Sequence, residues 1–239
     1  MKALILAAGL GSRLKENTKN IPKAMVQINS KPIISYQIES LKYNQIYKIG
    51  VVLGHKKDVL KSYLLNNHQD IDFSFFNNYE YETSNSAYSF YNAYDYIKDD
   101  TYIHLNCDII FSSELLKKMI DSSYKNVIAL SKKLDLKDNM EQVSLDSDKK
   151  IIKMDNIKFD TATFKAYGLA KLSSESSKFI FKIIERDIRQ GHKKKNYYGI
   201  MRKAVLNIKY YGLDCDDDLL LEVNTLEDLD IIKNSILSY

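Results

Sequence analysis

Apolar and polar positions along this chain fall into blocks whose period changes from element to element. Lys2 to Ala8 is a short, nearly unbroken apolar run closed by Gly9, the pattern of a strand buried on both faces of a parallel sheet. After the Lys31-Pro32 break, Ile34, Ile38 and Leu41 recur at helical spacing within Ile33 to Tyr43, and YKIGVVLG from Tyr47 to Gly54 reads as a second buried strand. This β-α-β opening continues with a helix from Asp58 to Leu65, a strand from Phe73 to Asn77 and a helix from Ala87 to Tyr96. A strand from Thr101 to Ile110 and a helix from Ser113 to Ser122 follow. From Asn126 strands dominate, at Val127 to Ser131, Val143 to Leu145, Ile151 to Met154 and Phe164 to Leu172. A helix from Ser176 to Arg189, a strand from Ala204 to Gly212 and a helix from Thr225 to Leu237 complete the pattern. Alternating strands and helices predict an α/β fold: a doubly wound mixed sheet flanked by helices, with an α+β second half that completes one site with the first. No internal repeat, linker or low-complexity segment interrupts the chain, which reads as a single domain over residues 1–239.

Composition narrows the function classes. The 35 basic and 31 acidic side chains leave a formal net charge of +4, with no dense basic stripe, so nucleic acid is not an expected partner. Cys107 and Cys215 form neither a disulfide framework nor a paired metal-ligand spacing, and His55, His68, His104 and His192 are scattered. The apolar stretch from Ala3 to Leu10 is too short to span a bilayer and lacks a small-residue cleavage site. The expectation is a cytoplasmic protein with no membrane partner.

The chemistry concentrates at the start. The chain has 8 glycines and 2 prolines, and Gly9, Gly11 and Pro22 all fall within its first 23 positions. A glycine-rich turn after a buried strand lets backbone N–H groups approach phosphate oxygens without a Cβ in the way. It is not a P-loop, which needs Lys-Ser/Thr after the last glycine, nor a dinucleotide fingerprint, which needs a third glycine where Leu14 stands. What remains is a turn with its own cation, Arg13, and a second cation, Lys23, placed by Pro22. Two fixed cations and several amides suit a triphosphate attacked at the α-phosphorus, with charge developing on a leaving pyrophosphate.

The stretch LILAAGLGSRLKENTKNIPKAMVQINSKPII resembles the signature of the nucleotidyltransferase family that activates sugar-1-phosphates and small phosphorylated alcohols: an apolar strand, G-x-G-[ST]-R, a spacer, P-K, then K-P-[IL]. It departs where the family often carries a proline, at Lys15-Glu16. The resemblance implies a Rossmann-like fold, with Arg13 and Lys23 as catalytic cations and Leu6, Ala7, Ala8, Gly9, Gly11 and Ser12 against the nucleotide. It also implies Mg²⁺ as cofactor, a hard cation held by oxygen ligands. Asp108, after the strand YIHLNCDIIF, stands where the family carries a metal-binding aspartate. EVNTLEDL near the C-terminus resembles the closing segment that supplies the second ligand, here Asn224 where phosphocholine-type relatives usually carry Asp. Glu222 could offset the missing charge. Thr225 and Asp228 also fit as caps of the last helix.

The segment NNYEYETSNSAYSFYNA resembles the family's nucleobase loop, which makes Thr83, Ser84, Asn85 and Ser89 base-contact candidates, with N-cap roles for Ser84 or Ser86 in competition. Tyr88, Tyr91 and Tyr94 recur every third residue, as in a packed helix face. Within the family the chain looks most like the phosphocholine cytidylyltransferases and their 2-aminoethylphosphonate and phosphoglutamine relatives; the expectation is a protein without the hexapeptide-repeat C-terminal domain of the bifunctional sugar enzymes. The implied partners are CTP and a small phosphorylated acceptor. A quaternary ammonium acceptor would want aromatic and acidic residues such as Tyr167, Tyr197, Tyr198 and the run Asp214 to Asp218; an amino-acid-like acceptor would want a cation, for which His192 and Lys193 to Lys195 are candidates. A sugar-1-phosphate nucleotidyltransferase and a non-catalytic nucleotide-binding subunit are the competing functions.

Overall fold

A computed structural model describes residues 1–132 and 135–236, with side chains as far as Ile232. The first strand, β1 (Lys2–Ala7), runs through the centre of the main sheet and splits its side chains between two cores: Ala3, Ile5 and Ala7 on one face, Leu4 and Leu6 on the other. Two 3-10 turns, Ser12–Thr18 and Lys23–Met25, lead to a small hairpin of β2 (Gln27–Ile28) and β3 (Lys31–Pro32). Then come α1 (Ile33–Tyr43), β4 (Lys48–Leu53), α2 (Lys57–Asn67), β5 (Asp72–Asn77), α3 (Ser86–Ile97), β6 (Tyr102–Asn106), β7 (Ile109–Phe111) and α4 (Ser113–Asp121). The second half adds β8 (Val127–Ser131), β9 (Gln142–Leu145), β10 (Ile151–Asp155), β11 (Phe164–Leu172), α5 (Ser174–Arg189), α6 (Tyr197–Ala204), β12 (Tyr211–Asp214), β13 (Leu220–Glu222) and α7 (Leu226–Ile236).

Among the described residues the main sheet has nine strands, along the path β10-β9-β11-β6-β1-β4-β5 with β8 on β11 and β12 on β8. β6, β1, β4 and β5 are parallel, and β11 joins antiparallel to β6. Helices α1, α2 and α4 cover one face, and α3, α5 and α6 the other. The sheet is thus mixed and doubly wound as expected, and its carboxyl edge, where Leu6 pairs with Asn106, is where ligands bind in such folds.

Three expectations are corrected. The strand over Thr101 to Ile110 breaks into β6 and β7 around a turn at Cys107 and Asp108, because the chain leaves the main sheet there to pair β7 with β13. The strand from Ala204 to Gly212 does not form: Ala204 closes α6, and pairing begins only at Tyr211. Tyr197, Tyr198, Ile200, Met201 and Ala204 are buried at helical spacing and hold that segment as a helix. The last helix starts one residue later than expected, at Leu226, and its expected end at Leu237 lies outside the described residues.

A third, smaller core has a specific use. It contains Leu14, Val26, Ile28, Ile33, Ile110, Val223, Leu229 and Ile232. Leu14 follows Arg13, Val26 closes the turn that begins at Lys23, Ile110 lies two residues after Asp108, and Val223 precedes Asn224. One apolar cluster therefore fixes the backbone beside each of four polar residues distant in sequence.

Candidate active site

Those four residues meet. Lys23 Nζ lies 2.6 Å from Asp108 Oδ2 and 3.1 Å from Asn224 Oδ1, and Arg13 Nη2 donates to the same Asn224 oxygen at 2.7 Å. The Lys23 side chain is only 11% exposed, so its ammonium is desolvated and directed by its partners. Asp108 is held through its backbone: its carbonyl accepts from Val223 N at 2.8 Å, which ties the β6–β7 turn to the strand leading to Asn224. Gln37 braces the same turn from below, its Nε2 donating to the carbonyls of Asn106 and Ile109 at 2.8 Å each. The other carboxylate oxygen of Asp108, Oδ1, is buried with no hydrogen-bond partner among the described residues.

The glycine turn wraps this cluster. Gly11 sits at φ 66°, a left-handed conformation, and its carbonyl accepts from Leu14 N at 2.9 Å and from Thr18 Oγ1 at 3.0 Å. A Cβ on Gly11 would lie 3.0 Å from Thr18 Cγ2 and 3.1 Å from Lys23 Cβ, so glycine also allows the turn to close on Lys23. Gly9 differs: its φ is not positive, and a Cβ there would meet nothing within 4 Å. Its open space faces a cleft of about 480 Å³ lined by Leu6, Ala8, Gly9, Gly11, Ser12, Arg13 and Lys23. Ala7 turns its side chain into the core instead and does not line that cleft.

Ser84, Asn85 and Ser89 lie on the far wall of the same cleft, whereas Thr83 does not. Thr83 N and Oγ1 both donate to the Glu80 carbonyl, and the residue borders a neighbouring depression with Lys193 to Lys195. The helix cap is Asn85, whose Oδ1 accepts from Ser86 N at 2.7 Å, while Ser86 Oγ accepts from Tyr197 N at 2.8 Å. Sequence reasoning missed Asn78, the buried residue just after β5. Its Nδ2 donates to Ser84 Oγ at 3.0 Å and Ser89 Oγ at 3.1 Å, and its Oδ1 accepts from Glu80 N at 3.0 Å, so it orders this wall. Its place at the carboxyl end of a parallel strand was the signal available.

A second lobe of about 800 Å³ continues from the first, and both are bordered by Arg13, Asn85, Ser86, Asn106, Asp108 and Asn224. Its own lining includes Glu141, Lys165, Tyr167, Asn196, Tyr198 and Glu222. Glu222 is committed to Lys165, its Oε2 accepting from Lys165 Nζ at 2.6 Å. Burial pulls the Lys165 pKa down, but Glu222 and Tyr167 outweigh it and hold the ammonium above its ordinary value. Glu141 is paired with Arg202 through both guanidinium Nε and Nη2. The acidic run lies elsewhere: Asp216 accepts from Ser131 Oγ at 2.6 Å, and Asp218 pairs with Lys118 at 2.8 Å. The lysine run also stays outside both lobes, with Lys193 on Glu80 at 2.8 Å. Of the tyrosines considered for an acceptor site, Tyr167 and Tyr198 line the second lobe and Tyr197 is core.

Residues 2–139 match the family model described as nucleotidyl transferase. The chain is 41% identical over 138 residues to CTP:phosphoglutamine cytidylyltransferase of Campylobacter jejuni, covering 55% of this chain and 53% of that protein. It is 31% identical over 169 residues to D-glycero-alpha-D-manno-heptose 1-phosphate guanylyltransferase of the same organism, covering 71% of this chain and 72% of that protein. The chain spans about half the length of the first of these and of several other curated relatives. The solved structure of CTP:phosphocholine cytidylyltransferase from Streptococcus pneumoniae superposes with a TM-score of 0.78 at 21% identity over 98% of both chains, which shows the shared fold.

Proposed function

The chain belongs to the nucleotidyl transferase family, and on that premise we propose that it is a cytidylyltransferase that moves CMP from CTP to the phosphate or phosphonate of a small non-sugar acceptor and releases pyrophosphate. The observation that carries this reading is the meeting of Arg13, Lys23, Asp108 and Asn224 where the two lobes join. The choice of CTP is supported by the 41% identity to a CTP:phosphoglutamine cytidylyltransferase.

In this reading the first lobe holds the nucleotide, with the glycine turn against its phosphates and Ser84, Asn85 and Ser89 near its base. The second lobe holds the acceptor. An acceptor phosphate oxygen attacks the α-phosphorus in line; that P–O bond forms as the bond to the bridging oxygen of pyrophosphate breaks. No general base is needed, because a phosphate dianion is already a competent nucleophile. Arg13 and Lys23 offset the charge that develops on the α-phosphate and the leaving group, from positions set by their hydrogen bonds to Asn224 and Asp108. Asp108 and Asn224 are oxygen donors of the kind Mg²⁺ takes, and the unpartnered Asp108 Oδ1 fits a cation's approach. Bound there, the ion would add charge neutralisation at the phosphates. Asn224 shares Lys23 with Asp108 whereas Glu222 is turned to Lys165, a placement that favours Asn224 over Glu222 as the second ligand.

The test is pyrophosphate release with Mg²⁺, crossing CTP, UTP, GTP, ATP and dTTP with phosphorylated glutamine, phosphocholine, 2-aminoethylphosphonate and sugar-1-phosphates. The expected result is release confined to CTP and a non-sugar acceptor. Release with GTP and a sugar-1-phosphate alone would favour a second reading, supported by the 31% identity to a sugar-1-phosphate guanylyltransferase; CTP binding without release under any acceptor would favour a non-catalytic subunit.

A further inference from the structure

The second lobe contains a cation seat that is already filled. Recognition of a quaternary ammonium group takes an aromatic face and a carboxylate close together. Tyr167 and Glu222 form such a pair on the wall of this lobe, and between them stands the ammonium of Lys165, 4.2 Å from the Tyr167 ring centroid and 2.6 Å from Glu222 Oε2. The Lys165 and Glu222 side chains are only 12% and 18% exposed, so the seat is largely closed to solvent. An ammonium carries three donors. Glu222 takes one from Lys165, and the other two have no hydrogen-bond partner among the described residues, although Lys165 borders the lobe.

We propose that Lys165 is a specificity-determining residue: its ammonium occupies the seat between Tyr167 and Glu222, so the lobe rejects a trimethylammonium group there and selects an acceptor whose far end presents an oxygen, a carboxylate or amide carbonyl, to the remaining Lys165 donors. This rests on the reading of the second lobe as the acceptor site. A trimethylammonium group has no N–H donor or acceptor to offer and would meet a like charge held in place by Glu222. An oxygen acceptor gains hydrogen bonds from a cation already oriented.

Two measurements test this on the full chain. In the first, phosphorylated glutamine and phosphocholine are titrated calorimetrically into protein saturated with α,β-methylene-CTP, which cannot turn over. The wild type is expected to bind phosphorylated glutamine more tightly, and Lys165→Ala to shift the ratio toward phosphocholine by about tenfold or more. In the second, tetramethylammonium chloride is expected to raise the Tm of Lys165→Ala but not of the wild type. Lys165→Met, which fills the seat without charge, should weaken phosphorylated glutamine binding without gaining phosphocholine, and it decides the matter should the alanine variant fail to fold. Wild-type preference for phosphocholine, binding of neither acceptor, or an unchanged ratio in both variants would overturn the proposal. The thermal arm needs no nucleotide, so its outcome is separate from that of the CTP panel.

Discussion

His104 lies two residues before Asn106 on β6, fully buried, its ring stacked on Tyr197 with centroids 4.2 Å apart. Burial pushes its pKa from 6.5 down to about 3. Between those values the unfolded chain binds a proton that the folded chain does not, so stability rises with pH across the window and falls as pH drops through it. The slope attributable to this residue is about 1.4 kcal/mol per pH unit, or about 2 kcal/mol lost by pH 5. His104→Phe keeps an aromatic ring in the stack and should flatten that part of the slope. Urea midpoints of both proteins at pH 7 and pH 5 check this, and equal pH dependence would show that His104 is not held neutral. Gly11, Arg13 and Lys23 were legible from the local pattern, whereas Asp108 and Asn224 were named through the family resemblance. Gly11 and Arg13 belong to one continuous turn, and Lys23 is positioned by the adjacent Pro22. Lys165 acts through a partner 57 residues away, Glu222, and no local pattern marks it, while Asn78 was marked only by its place just after a parallel strand.

At the scale of elements, β11 and β6 show how closely the strands beneath the site are fitted. A Cβ on Gly168 would come within 2.5 Å of the Asn106 side chain, which borders both lobes. The register of β11 on β8 shifts between Ala166 and Ala170, so Gly168 falls in an irregular stretch of strand. Gly168→Ala is expected to displace Asn106 and to cost about 1–3 kcal/mol from overpacking. A urea titration reads the loss, and the double variant Gly168→Ala, Asn106→Gly should recover most of it; no recovery would place the strain elsewhere. Long periodic elements such as α1 and α5 could be read from their apolar spacing. The short α6 and β13 could not, since eight and three residues carry too little periodicity and their identity depends on what they pack against.

For the whole molecule, the arrangement follows from three cores with different tasks. Two stabilise the sheet from its opposite faces, and the third anchors the backbone at Arg13, Lys23, Asp108 and Asn224 so that their side chains converge at the sheet's carboxyl edge. The alternation of strands and helices made the doubly wound sheet legible, and the contiguous opening motif marked one wall of the cleft. The acceptor lobe was legible only in part: Tyr167 and Tyr198 were named for their aromatic faces, whereas Glu141 and Lys165 come from separate segments that join them only in the folded chain. The most direct measurement is ³¹P NMR of the full chain with Mg²⁺, CTP and phosphorylated glutamine, run beside Lys23→Ala. The account predicts paired appearance of pyrophosphate and a CMP-linked diphosphate in the wild type, with turnover lower by about 10²–10³-fold in the variant while its circular dichroism is preserved. Full activity in Lys23→Ala, or no CMP-linked product from the wild type with any phosphorylated acceptor, would contradict it.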